Sequence, residues 1–132
     1  MAAGSFKSSG FRELDRKFAQ LERGPTPAEK RRALTKGATI IADEERRLIH
    51  SRSGELAGSI VVTAEAEGLP SNSDTVYFGP SLPDGWYGRL VEEGTPHAAA
   101  HPFARPAVDT KSDTAADVVV QDLLESVKRS AR

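Results

Sequence analysis

Three histidines, His50, His97 and His101, are the residues best suited to bind a metal or carry a proton. His97 and His101 stand four apart, a spacing that sets two ligands on one helical face. Pro96 and Pro102 bracket them, and only alanines lie between, so no third ligand is supplied and a surface loop is the better reading. Glu92 and Glu93 are adjacent carboxylates in a segment rich in aromatic residues, and paired acids can divide acid and base roles. Neighbours on a helix point about 100° apart, however, and do not converge on one substrate atom. One of the two is better explained as a cap or as an ion-pair partner for Arg89 or Arg105. There is no phosphate-cradling glycine loop, no dinucleotide fingerprint, and no nucleophile elbow around Ser53 or Ser59. The absence of cysteine removes disulfides, thiolate metal sites and a cysteine nucleophile. A hydrolase built on Glu92, Glu93 and a histidine is therefore the weakest of the function classes. The expectation is a non-enzyme without cofactor or metal.

The best candidate for nucleic-acid contact is the basic cluster Lys30, Arg31, Arg32 and Lys36. Acids in the same stretch (Glu29, Asp43, Glu44, Glu45) dilute it, and the net charge of −1 lacks the strong basic excess of a dedicated binder. Non-specific backbone contact is the most that this supports. The charge is unevenly spread: through Arg52 there are 12 Lys and Arg against 7 Asp and Glu, and beyond it 6 against 12. Halves of opposite sign suit copies that pack head to tail, because complementary patches guide docking.

These residues must be positioned by a chain of 132 residues, enough for one domain that buries roughly 68% of its unfolded surface without staples. No apolar run approaches the ~20 residues of a membrane span, and the first residues lack the apolar core of a secretory signal. A soluble, intracellular-type domain is expected. Residues 1–10 read as a flexible N-terminal arm, and 11–132 as one α+β domain. Phe11, Leu14, Phe18 and Leu21 mark one face of a short helix, ended by Gly24-Pro25. Thr26 as N-cap, Pro27 and Glu29 open a long helix running to about His50, with Leu34, Ala38, Ile41, Glu45 and Leu48 on its inner face. Lys30, Arg31, Lys36, Asp43, Glu44 and Arg47 form its solvated face.

After one further turn at 55–58, Ser59 to Glu67 reads as a strand and Thr75 to Gly79 as an antiparallel partner. Trp86 to Gly94 reads as a short helix with Tyr87, Leu90 and Val91 inward. The last helix carries the apolar stripe Ala116, Val120, Leu123, Leu124, Val127 and Ala131, with Phe103 as anchor. The fold class is α+β: a small antiparallel sheet packed against a long N-terminal helix and a C-terminal helix. The long loops carry Tyr77, Phe78, Trp86 and Phe103, the residue types that dominate protein–protein contacts, and favour an assembly role.

Arg52-Ser53-Gly54-Glu55-Leu56-Ala57-Gly58-Ser59-Ile60 resembles the "R-T/S-G-x-L-x-x-S-I" segment of the small neck and tail-completion proteins of long-tailed bacteriophages and gene transfer agents. Tyr87, Leu90, Glu93-Gly94-Thr95 and His101-Pro102-Phe103-Ala104-Arg105-Pro106-Ala107 resemble that family's "Y-x-x-x-x-E-x-G-T … P-F-x-x-P-A" signature. The resemblance covers roughly residues 27–131. Gly88, standing where the family has a small aliphatic residue, and the alanine-rich insert from His97 to Ala100 depart from the pattern in the loops. The resemblance implies a structural virion component, made in the host cytoplasm, that joins the DNA-filled head to the tail as a ring (a hexamer or dodecamer). Its partners would be other connector and tail-tube proteins, and packaged DNA through non-specific contact, with no membrane. A tail terminator or chaperone role is the alternative within that class. Lys30, Arg31, Arg32, Lys36, Tyr77, Phe78 and Trp86 would line subunit contacts or the DNA channel. Arg52, Gly54, Leu56, Tyr87, Glu93, Gly94, Thr95, Pro102, Phe103 and Pro106 would be structural, the glycines fixing turns and Tyr87 and Phe103 pinning short segments to the sheet.

Overall fold

The computed structural model describes residues 23–49 and 54–130, together with Arg12, Asp15, Arg16 and Ala19. The expected arm at 1–10, the Phe11, Leu14, Phe18 and Leu21 stripe, His50 and Arg52 lie outside the described residues. The first long helix, α1, spans Pro27–Leu48. Thr26 and Glu29 form a reciprocal cap: the Glu29 N–H donates to Thr26 Oγ1 at 3.1 Å, and the Thr26 N–H donates to Glu29 Oε1 at 3.2 Å. Pro27 occupies the first turn, where no N–H is needed. At the far end the extended backbone of Ile49 stops the helix, two residues short of the expected limit.

A one-turn helix, α2 (Glu55–Ser59), leads into β1 (Ile60–Thr63), which pairs antiparallel with β2 (Tyr77–Pro80). The register sets Ile60 opposite Pro80 and Thr63 opposite Tyr77. β1 is shorter than the alternating pattern to Glu67 predicts. The Thr63 hydroxyl takes the Glu65 N–H at 3.1 Å, and this local turn ends the ladder. β2 likewise begins late, after Asn72 Oδ1 receives the Asp74 N–H at 2.8 Å. A short helix α3 (Gly88–Glu93) precedes the long terminal helix α4 (Ala104–Ser130).

Two buried clusters hold these elements. In the first, Ala42, Leu56, Ile60 and Phe103 meet, with Tyr87, Val91 and Phe78 packed against them. The second joins Ile41 of α1 to Ala107 and Ala115 of α4, again with Phe78 alongside. Phe78 thus ties the sheet to both long helices. The helices themselves approach closely: a Cβ on Gly37 would lie 2.6 Å from Val119 Cγ2 and 3.0 Å from the Ala115 carbonyl oxygen.

Three expectations about facing are corrected. The buried positions of α4 are Ala107, Ala115, Asp122 and Ser126, and the aliphatic stripe at Val120 and Leu124 stands outside, 52% and 46% exposed. The two helices approach closely here: Val119 and the Ala115 carbonyl lie against Gly37, and Ala33 is fully buried. Leu90, expected inward, is exposed, whereas Tyr87 and Val91 do pack on the core. Glu44, expected in solvent, is buried and pairs with Arg47 one turn on.

Candidate functional site

The most constructed polar feature of the molecule is the junction of α1, α3 and α4. Glu92 reaches across from α3 and accepts the backbone N–H groups of Phe103 at 2.7 Å, Ala104 at 2.9 Å and Arg105 at 3.1 Å. These are the N–H groups that the first turn of a helix leaves without partners, so the carboxylate caps α4 from a distance of eleven residues in sequence. Burial alone would raise this carboxyl, but the three N–H donors outweigh it and hold Glu92 below the usual carboxylate range. Phe103, 2% exposed, fills the core directly beneath. Pro106, in the first turn, sacrifices no hydrogen bond.

Beside this cap stands Glu45 of α1, 1% exposed, whose Oε1 has no hydrogen-bond partner among the described residues. Desolvation, reinforced by the nearby Glu92 charge and only partly offset by Arg46, pushes its carboxyl up to about 7. The chemistry of the junction is that of one ionised cap and one acid kept largely protonated. Glu92 is engaged in holding α4.

The carboxylate role thus belongs to Glu92, which the sequence reading weighed only generically, while Glu93 forms an exposed i,i+4 pair with Arg89 at 3.1 Å. The signal was present: five residues after Tyr87 falls Glu92, not Glu93. Gly94 follows with φ 79°, and its backbone sits so close to Ala100 that a Cβ would lie 2.8 Å from the Ala100 nitrogen. Thr95 then pairs with Ala98 in a tight turn, and its hydroxyl receives the His97 N–H at 3.2 Å. Gly54, also at positive φ, begins α2, and Leu56 is buried beneath it. Pro102 is exposed. His97 and His101 are exposed on this turn, and among the described residues no group of three or more metal-ligating side chains converges.

The loop aromatics divide. Trp86 is 68% exposed and meets Tyr87 edge-on, with ring centroids 5.6 Å apart. Tyr77 is half-buried and spends its hydroxyl on the Pro70 carbonyl at 2.6 Å, fastening the long β1–β2 connection. Phe78 turns into the core. On the outer side of the sheet, Val61, Leu69, Tyr77 and Leu82 line an open groove of about 670 Å³. Leu82 is 77% exposed at its lip.

The basic cluster is largely engaged within the chain. Lys36 Nζ lies 2.6 Å from Asp122 Oδ1, Arg32 Nε 3.6 Å from Asp122 Oδ2, and Lys30 Nζ 3.1 Å from Asp74. Arg32 also donates to the buried Ser126 hydroxyl at 3.2 Å. Hydrogen bonding from Lys36, opposed by burial, holds the Asp122 carboxyl low. Arg31 alone of the four has no ion-pair partner among the described residues. Asp74 and Asp122 were not foreseen, because only the tertiary fold brings them beside cations far away in sequence.

A two-helix seam, a short sheet and apolar loops left in solvent define a small α+β fold. The family model HK97-gp10_like, described as "Bacteriophage HK97-gp10, putative tail-component", matches residues 12–94. The chain belongs to this family of bacteriophage tail components. The match takes in the first helical stretch, which the motif resemblance left out, and stops at Gly94, before the Pro102 to Ala107 segment. No curated protein and no solved structure matches the chain. Among the described residues no helix is long and apolar enough to cross a membrane.

Proposed function

We propose that the protein is a neck or tail-completion component of the virion, set as a ring of copies that joins the filled head to the tail. The reading is non-enzymatic: contacts with copies of itself and with other tail proteins are the whole of its work. One observation carries it beyond family membership. Val61, Leu69, Leu82 and Trp86 are all exposed around the sheet and its loops, although a stable core exists without them. Large apolar groups held outside on ordered loops are what an assembly surface provides. The ion pairs of Arg32 and Lys36 with Asp122 in the α1–α4 seam, and of Lys30 with Asp74 of the β1–β2 connection, support a role within the chain over one in the DNA channel, leaving Arg31 for contacts outside the chain.

The test is complementation of a phage lacking this protein with the variant Leu82→Ser/Trp86→Ala. Both positions are surface sites, so thermal unfolding of the purified chain should stay close to the parent's. Electron microscopy should show filled heads and separate tails. Normal yields of joined, infectious particles would sink the reading.

A further inference from the structure

The outer side of α4 carries two parallel columns at four-residue spacing. One is apolar: Ala116, Val120 and Leu124 are all exposed. The other is acidic: Asp109, Asp113 and Asp117 are exposed, with no ion-pair partner among the described residues. From Asp109 to Leu124 the face is about 23 Å long. Like charges four apart on a helix disfavour it in isolation, and exposed aliphatic residues add nothing to a lone domain. Elsewhere on the same chain Arg12, Arg16 and Arg31 stand exposed, equally without ion-pair partners among the described residues.

We propose that the outer face of α4 is the surface on which a second copy of this chain docks, bringing its Arg12, Arg16 and Arg31 against the acidic column. The proposal rests on the ring reading and names the faces that meet. An α4-to-α4 contact would set two acidic columns against each other, so the charge pattern selects a head-to-tail contact. A head-to-tail contact is the kind that repeats around a ring. It also selects against DNA or an anionic membrane as occupant, since the column repels both.

The experiment counts copies of the full chain per purified particle after complementation. Wild type is compared with Asp113→Lys/Asp117→Lys, with Arg16→Glu/Arg31→Glu, with Leu124→Glu, and with the two charge-reversed chains expressed together. Each variant alone should lose about tenfold or more in copy number, and the mixed pair should recover it, since each reversed face then meets its complement. Wild-type copy number in any single variant overturns the proposal. Loss without recovery in the mixture also overturns it, and gives the face to another tail protein. A drop in thermal stability of the purified Asp113→Lys/Asp117→Lys chain overturns it too, because the face would then be covered from within the chain. Wild type present at a single copy per particle, or none, is the separate failure of the ring reading itself.

Discussion

Glu45 and Glu92 share one junction and answer to pH in opposite directions. Glu45 has its folded pKa raised to about 7, so the folded state holds its proton more tightly than the unfolded chain. Its ionisation therefore opposes folding, and stability falls as pH rises through the window from about 4.5 to 7. Glu45→Gln should flatten that decline and be more stable than the parent at pH 8 by about 1–3 kcal/mol, read from urea unfolding across a pH series. An unchanged slope would rule out a raised Glu45. Glu92 is shifted down, so its contribution is present above the ordinary carboxylate range and disappears as pH falls through its lowered value. Glu92→Ala strips the cap from three N–H groups and should cost about 1–2 kcal/mol. The neighbouring Glu93→Ala removes only a surface pair and should stay within about 0.5 kcal/mol. Equal losses from the two would contradict the assignment of the cap.

At the scale of elements, the α1–α4 seam depends on the absence of a side chain at Gly37. Glycine within a helix normally costs about 1 kcal/mol against alanine. Here Gly37→Ala should lower the melting temperature, because the new methyl meets the stiff Val119 side chain and a backbone carbonyl. Val119→Ala removes the nearer obstacle, so the double variant should be less damaged than the two single losses summed, by at least about 0.5 kcal/mol. Additive losses would place the strain elsewhere. Along this seam α4 buries Ala, Asp and Ser, keeps Val119 half-buried against Gly37, and leaves Val120 and Leu124 in solvent. An amphipathic pattern says that a helix has an apolar face. It does not say whether the same chain or another covers it.

For the whole molecule, a net charge of −1 conceals a dipolar arrangement. Acids line the outer face of α4, and Arg12, Arg16 and Arg31 stand exposed without ion-pair partners among the described residues. Copies joined through these faces are held partly by charges at the rim, and salt weakens such contacts as the screening length falls from about 10 Å at 0.1 M to about 3 Å at 1 M. Retention of the protein on purified particles should therefore drop over this range, followed by quantitative protein staining. Retention indifferent to salt would assign the contact to the apolar loops alone.

The α+β class, the start of α1 and the anchoring role of Phe103 were legible in the residues themselves, because capping and periodicity are local. Thr26 and Glu29 signal a helix start whatever surrounds them. The motif resemblance and the family match agree on a phage tail component for the same reason: both read short-range residue order. The facing of α4, the pairing of Lys36 with Asp122 and the reach of Glu92 to the next helix were decided by tertiary structure alone. Each joins residues eleven or more positions apart or sets one face of a helix against a particular neighbour, and a chain's local pattern holds no term for which neighbour that will be.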